Sequence, residues 1–278
     1  MTVLTPTLEQ IQYAWNAIAP RYDEFTTPMN QLFAEEALLR VDLGPGVRIL
    51  DVACGSGALA IPAARRGARV MAVDLAPAMI KRLIARACAE RLPAVTGRVM
   101  NGESLEFPDD TFDVTASQNG ISLFSDLKAG LREAVRVTKP GGAVLIIAFG
   151  SPHRAESIGF LLGALRAAVP GFTPPINPPS LPFQLADPDR FSREVAEAGL
   201  TDVRVETTTW EMTCRSAEHL WDAVTASNPA AEKLADPLAG EHQTEVKRVI
   251  DGMLRERSGG MPEAVLTNEM NVGLGRKP

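Results

Sequence analysis

Residues 48–74 read RILDVACGSGALAIPAARRGARVMAVD, and this stretch predicts one βαβ unit. A short apolar strand runs into Asp51 and Val52, a turn rich in glycine follows, and a helix extends from Ala58 to Arg66. A β-branched run then predicts a second strand, which ends at Asp74. Glycine in the turn lets the backbone N–H groups at the helix start approach a ligand closely. Because an acid after the second strand can accept hydrogen bonds from a ribose diol, we expect a ligand that contains a nucleoside.

The alternation of helix and strand continues after Asp74. The pattern predicts a helix from Pro77 to about Arg91, strands at 96–100 and 112–117, a helix at 127–137 and an apolar strand at 143–149. Two further strands are predicted near the end of the chain, at 203–212 and 264–275. We therefore expect an α/β fold with a doubly wound, mostly parallel, seven-stranded sheet of Rossmann-like type. Its ligands should bind at the carboxyl ends of the strands.

Composition narrows the class of protein. The net charge is −6 and the basic residues are scattered, so the sequence has no basic stripe of the kind that binds nucleic acid. No run of about 18 apolar residues predicts insertion into a membrane. The cysteines have no paired spacing and the histidines have no metal-ligand spacing, which predicts a cytoplasmic protein with reduced thiols and no metal site. These residues are Cys54, Cys88, Cys214, His153, His219 and His242.

The glycine spacing leaves two nucleoside ligands to consider. Gly55-x-Gly57-x-x-Ala60 also fits the fingerprint of dinucleotide-binding proteins, so an NAD-dependent oxidoreductase is an alternative. Asp51 argues against NAD, because a carboxylate next to two phosphates would repel them. It suits a cationic ligand instead, such as the amino group of a methionine moiety.

Further motifs follow in order between residues 18 and 149, and together they carry a family resemblance. They are Ala19-Pro20-Arg21-Tyr22-Asp23, Leu50 to Gly57, Asp74 to Met79, Asn101-Gly102-Glu103, Leu105 to Asp109, Phe112-Asp113 and Arg136 to Gly142. In these segments the chain resembles the class I S-adenosylmethionine-dependent methyltransferases, in the branch of the ubiquinone- and menaquinone-biosynthesis enzymes. It departs from the family at Asn101, where Asp is usual, although an asparagine oxygen can still accept the adenine amino proton.

The resemblance implies a set of cofactor contacts on one rim of the sheet. Asp51 would hold the methionine part, Asp74 the ribose hydroxyls, and Tyr22 would close over the methionine end. The complete implied set is Tyr22, Asp51, Ala53, Gly55, Gly57, Asp74, Leu75, Met79, Asn101, Gly102, Glu103, Ser117 and Gln118.

The resemblance also implies a division of the chain, which we expect to be one methyltransferase domain over residues 1–278. Residues 1–45 would form an N-terminal helical cover, and residues 46–150 would form the cofactor-binding core. Residues 151–185 and 213–260 would be insertions on the substrate side that form a cap. Pro20 and Pro28 predict a turn or a short irregular helix within the cover, around Tyr22.

The predicted reaction is methyl transfer to a small or medium acceptor, aromatic or lipid-like, at oxygen, carbon or nitrogen. Positioning of the acceptor and exclusion of water would supply the rate. His153 and Tyr22 are the candidate catalytic residues, with Asp23 behind them. A non-catalytic S-adenosylmethionine-binding sensor or scaffold is an alternative function. We expect a small-molecule substrate and a monomer or homodimer.

Two motifs concern the acceptor. Asn177-Pro178-Pro179 resembles the motif of amide- and adenine-methylating enzymes, but it falls in a proline-rich loop at 170–188 and not after the fourth strand. Nucleic acid is therefore not an expected substrate. Aromatic and other large apolar side chains in the outer segments predict an apolar acceptor pocket, and they are Phe25, Met29, Phe124, Phe149, Phe160, Phe172, Phe183 and Trp221.

Overall fold

The computed structural model describes residues 6–173, 181–236, 238 and 240–278. Its strands are β1 (Arg48–Val52), β2 (Arg69–Asp74), β3 (Val95–Val99), β4 (Phe112–Gln118), β5 (Thr138–Phe149), β6 (Thr201–Cys214) and β7 (Ala264–Arg276). They form one sheet in the order β3-β2-β1-β4-β5-β7-β6. Neighbours from β3 to β5 are parallel, whereas β7 is antiparallel to both β5 and β6. The predicted mostly parallel, seven-stranded sheet is confirmed.

The helices are α1 (Leu8–Arg21), α2 (Thr27–Ala37), α3 (Ala60–Arg65), α4 (Pro77–Ala89), α5 (Leu127–Val137), α6 (Glu156–Ala168), α7 (Pro188–Glu197), α8 (Ala217–Thr225), α9 (Pro229–Ala235) and α10 (Gly240–Ser258). Helices α2, α3 and α4 pack on one face of the parallel strands, and α5 and α7 pack on the other. Because successive strand residues point to opposite faces, Ile49 belongs to the first apolar layer and Leu50 to the second.

A third apolar cluster lies at the antiparallel end of the sheet, and we call it the helical layer. It consists of α6, α8 and α10 packed against β6 and β7, with Leu161, Trp221 and Ile250 among its buried side chains. Within the described residues, no helix is both long and apolar enough to cross a membrane.

The short irregular helix predicted around Tyr22 is present as a π-helical turn at Tyr22–Thr26, through which α1 continues into α2. Pro20 lies in the last turn of α1 and does not end the helical structure there. The strand predicted at 143–149 begins earlier, at Thr138, and its pairing with β4 shifts between Phe112 and Val114.

In the second half of the chain, the observed helices and strands match the sequence predictions less completely. Helix α9 was not predicted, while the strands at 203–212 and 264–275 are present as β6 and β7 with extended ends. Part of the proline-rich loop, including Asn177-Pro178-Pro179, lies outside the described residues.

Candidate functional site

A groove opens at the carboxyl ends of β1, β2 and β4, where the sheet order brings the loops after these strands together. It encloses about 770 Å³ including its mouth. Ten of the predicted cofactor contacts line it, and they are Tyr22, Ala53, Gly55, Asp74, Leu75, Met79, Asn101, Gly102, Glu103 and Gln118. Apolar side chains of α1 and of the segment after β4 complete the lining.

The turn between β1 and α3, here called the elbow, has an unusual backbone that brings main-chain atoms to the groove. Ala53 and Gly55 have φ of +55° and +53°, in the left-handed region that favours glycine. A Cβ atom on Gly55 would lie 3.1 Å from Cε1 of Tyr22, so glycine lets the tyrosine ring pack directly on the elbow. Gly57, at φ +98°, does not line the groove, because its backbone packs against Leu83 of α4.

Asp74 connects the end of β2 to the elbow. One carboxylate oxygen accepts the N–H of Gly55 at 2.9 Å, and the other accepts the N–H of Ala76 at 2.8 Å. Burial raises the pKa of Asp74 to about 6, although these two backbone hydrogen bonds act in the opposite direction. The carboxylate is therefore mostly ionised at neutral pH and held in a fixed orientation at the groove wall.

Asp51 lies two residues before Ala53 and is only 1% exposed. Neither carboxylate oxygen has a hydrogen-bond partner among the described residues, and neither reaches solvent. Burial, followed by the charge of Asp74, raises the pKa of Asp51 well above its usual value. The nearby N–H of Ala60 lowers this pKa in part, although it is not placed to form a regular hydrogen bond with the carboxylate. A buried carboxylate without a partner is costly, and a cation bound beside the elbow would relieve that cost.

Tyr22 and its neighbours close the groove from the side of the N-terminal helices. Its hydroxyl accepts a hydrogen bond from Asn30 Nδ2 at 3.4 Å, and its ring meets Trp15 edge to face with centroids 6.0 Å apart. The backbone carbonyl of Asn30 accepts a hydrogen bond from Gln118 Nε2 at 2.8 Å. Burial raises the pKa of Tyr22 far above its ordinary value, so the hydroxyl stays protonated and cannot act as a base at neutral pH.

Helix α1 is attached to the loop that follows Asp74 by two side chains that the sequence reasoning did not identify. Gln12 Nε2 donates to the carbonyl of Leu75 at 2.8 Å, and Asn16 Oδ1 accepts the N–H of Ala78 at 2.8 Å. The only signal in the sequence is their spacing of four residues, which places both on one face of a helix. The contacts fix α1 over the side of the groove that carries Asp74.

Asp23, the lesser base candidate, is held in ion pairs on α4. Its carboxylate oxygens accept from Arg86 Nε at 2.6 Å and from Arg82 at 3.2 Å. Burial alone would raise the pKa of Asp23, but the hydrogen bonds and charge of Arg86, with the bond from Arg82, lower it below its ordinary value. The carboxylate is thus a weak base that anchors the π-helical turn.

Two predicted site residues lie elsewhere. Ser117 is buried, donates to the Val52 carbonyl at 2.8 Å and accepts the N–H of Ile121, so it joins β4 to β1 and does not line the groove. His153 is exposed in a short turn at Pro152–Arg154 and is not among the groove residues. The structure therefore does not support His153 as the base, because a base must reach the proton that it removes.

Four of the side chains expected to line an acceptor pocket pack on the helical layer and do not line the groove. Trp221 is buried there, and Met29, Phe160 and Phe172 are partly buried against the same cluster. Phe124 does line the groove, beside Gly102. Apolar periodicity cannot distinguish a pocket wall from a core, which is why the sequence misplaced these residues.

Comparisons with known proteins agree with this geometry. A family model described as "Methyltransferase domain" matches residues 50–146, which span the elbow, Asp74 and β4. The curated relatives include demethylmenaquinone methyltransferase of Corynebacterium urealyticum, 32% identical over 151 residues, which are 51% of this chain and 61% of that protein. Residues 50–146 thus match a methyltransferase domain, in a fold of the class I S-adenosylmethionine-dependent type.

The alignments with known proteins cover only part of the chain or of its relatives. An uncharacterized protein of Mycobacterium tuberculosis is 32% identical over 189 residues, which are 65% of this chain and 66% of that protein. The matched region thus spans slightly less than two thirds of these curated relatives. Phosphoethanolamine N-methyltransferase 2 of Haemonchus contortus, solved with phosphomonomethylethanolamine and S-adenosylhomocysteine, has a TM-score of 0.60 over 99% of this chain and 61% of that chain. Its 19% identity supports the fold only.

The groove fits S-adenosylmethionine. The unpartnered carboxylate of Asp51 matches a cationic methionine moiety, and the oriented carboxylate of Asp74 matches a ribose diol. Leu75, Met79 and Gly102 line the groove where an adenine ring would follow the ribose. Among the residues that the structure describes, no group of three His, Cys, Asp or Glu side chains could hold a metal ion.

Proposed function

We propose that this protein transfers a methyl group from S-adenosylmethionine to a small or medium acceptor, aromatic or lipid-like, at oxygen, nitrogen or carbon. The observation that carries the proposal is the mixed character of the groove. The carboxylate of Asp74 in the groove wall and the buried carboxylate of Asp51 behind the elbow suit a cationic nucleoside, while Ile11, Leu123 and Phe124 give the groove an apolar surface. A purely polar acceptor would gain little from that surface.

The residues of the chain would act mainly by holding, orienting and drying the site. When bound, S-adenosylmethionine supplies a methyl group on a positively charged sulfur. Tyr22 covers the elbow, Trp15 packs against Tyr22, and Phe124 fills the space beside Gly102, so these rings would shield a bound ligand from water. The positive charge on sulfur is lost during methyl transfer, so a site that excludes water and fixes the orientation of both reactants can accelerate the reaction without a further catalytic group.

We infer that none of the three candidate bases, His153, Tyr22 and Asp23, serves as a dedicated base. His153 is outside the groove, Tyr22 stays protonated, and Asp23 is neutralised by two arginines. An acceptor that carries an acidic proton would release it to water. This inference favours acceptors that are nucleophilic without strong activation.

The name of the Corynebacterium relative supports an aromatic acceptor of the quinone type as the first compound to test. We propose that residues 1–45 cover the cofactor, that residues 46–150 bind it, and that the insertions at 151–185 and 213–260 select the acceptor from the outer side. Cytoplasmic location and a monomeric or homodimeric state remain predictions from the sequence.

A non-catalytic S-adenosylmethionine sensor is the second candidate function. The observation that favours it is the packing of Trp221 and Phe160 into the helical layer, which leaves those side chains unavailable as walls of a wide acceptor pocket. A sensor would bind the cofactor with normal affinity and methylate nothing.

The decisive experiment has two stages. Isothermal titration and thermal shift with S-adenosylhomocysteine and with NADH come first, and we expect binding and stabilisation by S-adenosylhomocysteine alone. Incubation with methyl-labelled S-adenosylmethionine and a panel of reduced naphthoquinones, phenols and aromatic amines follows. Stabilisation by NADH alone would contradict the cofactor assignment, and cofactor binding without transfer to any acceptor would favour the sensor.

A further inference from the structure

We propose that Gln118 and Asn119 recognise the methyl acceptor, because their amide oxygens accept hydrogen bonds from an O–H or N–H group that it carries. The proposal rests on the proposed function and adds a chemical requirement to it. An acceptor must then present a neutral hydrogen-bond donor near the atom that is methylated, in addition to an apolar surface.

The first step is the place of the two residues along the groove. They follow the end of β4, and this part of the chain touches the elbow directly. Ser117 Oγ is 2.8 Å from the Val52 carbonyl, and a Cβ on Gly120 would lie 2.6 Å from Cβ of Ala53. Asp74 is on β2, on the opposite side of β1 in the sheet. Gln118 and Asn119 therefore flank the elbow at the end of the groove that is remote from the ribose acid.

The second step is the state of their oxygens. Gln118 Oε1 and Asn119 Oδ1 are shielded from solvent and have no hydrogen-bond partner among the described residues, although both residues line the groove. An unpaired buried acceptor is destabilising, and such groups in a ligand groove indicate a donor supplied by the ligand.

The third step is the fixed orientation of both residues. Gln118 Nε2 donates to the Asn30 carbonyl at 2.8 Å, and a flipped amide would place two oxygens against each other at that contact. Asn119 has φ of +55°, and its N–H donates to the Ile147 carbonyl at 2.8 Å. Asparagine tolerates this left-handed conformation better than most residues. The amide of Gln118 is thus fixed by its own hydrogen bond, and the backbone that carries the Asn119 side chain is fixed by pairing with β5.

The fourth step separates the acceptor from the cofactor as the source of the donor. The positively charged amino group of the cofactor would be drawn to the unpartnered carboxylate of Asp51, because a full negative charge attracts a cation more strongly than a neutral amide oxygen does. Gln118 and Asn119 are then left for a neutral donor, and the acceptor is the remaining ligand of the groove.

The experiment measures binding to the full-length protein saturated with S-adenosylhomocysteine. The probes are 1-naphthol and 1-naphthylamine, which carry donors, and 1-methoxynaphthalene, which has the same ring system without one. We expect the donor-bearing probes to bind about tenfold or more tightly than the methoxy compound, as is usual where a site pairs buried polar groups with a ligand hydrogen.

Two variants test the residues themselves. Gln118→Met keeps the side-chain length without the amide, and Asn119→Gly keeps the positive φ without the side chain. Each should reduce the preference for 1-naphthol by about threefold to tenfold. Asn119→Gly, at a residue outside the predicted cofactor contacts, should leave the dissociation constant of S-adenosylhomocysteine within about twofold. Gln31→Met, at a glutamine that bonds only to Glu35 on α2, is the matched control and should change neither value. If one variant fails to fold, the other decides the test.

The outcomes are distinguishable. Equal binding of the three naphthalene probes, or binding of none, would overturn the inference while the proposed cofactor site stands. A tenfold loss of S-adenosylhomocysteine affinity in both variants, with probe preference unchanged, would assign the oxygens to the cofactor and also overturn it. Failure of the unaltered protein to bind S-adenosylhomocysteine would instead refute the proposed function itself.

Discussion

The groove and the helical layer adjoin different strands of one sheet and differ in physical character. Near the groove, Asp51 is a buried and Asp74 a partly buried carboxylate, both have raised pKa values, and backbone with positive φ occurs at Ala53 and Gly55. In the helical layer, α6, α8 and α10 bury a continuous apolar cluster against β6 and β7. The groove is costly to fold and the helical layer is favourable, which is the distribution expected when one region binds ligand and another maintains the fold.

The largest effect should come from the helical layer. Trp221 is 3% exposed within it, and Lys247 Nζ lies 5.5 Å from its ring centroid. Trp221→Ala should lower the free energy of unfolding by about 3–5 kcal/mol, because it leaves a large cavity in a packed core. Denaturant unfolding measures this change. Trp221→Phe should cost less and keep the affinity for S-adenosylhomocysteine unchanged. Unaltered stability with altered acceptor binding would mean that Trp221 is a pocket wall after all.

The next effect concerns ligand affinity in the groove. Asp74→Asn removes the charge that would bind the ribose diol, while an amide oxygen remains for one of the two backbone donors. We expect a loss of about 1–3 kcal/mol in S-adenosylhomocysteine binding, as for other charge-assisted hydrogen bonds. Isothermal titration is the measurement, and Asp42→Asn at an exposed aspartate is the control. The same dissociation constant in both variants would refute the role of Asp74.

The same carboxylate predicts two dependences on pH. S-adenosylhomocysteine affinity should fall as pH decreases through about 6, because protonation of Asp74 removes its charge. Folding also raises the pKa of Asp74, so this side chain stabilises the folded protein below about pH 4, and that stabilisation is lost as the pH rises through about 6. Without ligand, the stability of Asp74→Asn relative to the unaltered protein should therefore rise by on the order of 1 kcal/mol or more between pH 4 and pH 7.5, because the amide does not titrate. Thermal unfolding at both pH values tests the sign, and a decrease in this relative stability over the same range would contradict it.

The sequence was most informative where local chemistry determines the structure. Helix α5 occupies Leu127–Val137 as predicted, because Asp126 caps its first turn and Pro140 follows shortly after its end. The elbow and Asp74 were recognisable because glycine and an acid at strand ends are required by backbone geometry and ligand charge. These features need only neighbouring residues in the chain to be understood.

The long-range contacts that complete the groove could not be predicted from neighbouring residues in the sequence. Asn30 meets Gln118 across 88 positions of sequence, and Gln12 meets Leu75 across 63. Amide side chains carry no periodic signal, so only the folded chain shows which carbonyl each one meets. The sequence also could not show which aromatic side chains line the groove. Trp221 and Phe124 give the same apolar signal, although Trp221 is in the core and Phe124 lines the groove.

The smallest effects come from a pair of matched substitutions, one in each region. Gly159 is in α6 of the helical layer with open space where a Cβ would be, so Gly159→Ala should stabilise the protein by about 0.5–1 kcal/mol through its helix propensity. Gly55 has φ of +53°, and a Cβ there would press on Tyr22 at 3.1 Å. Gly55→Ala should therefore destabilise by about 1–2 kcal/mol and weaken S-adenosylhomocysteine binding. Thermal unfolding and titration of both variants measure the contrast. If the two substitutions changed stability in the same direction, the groove would not be the strained region that its backbone indicates.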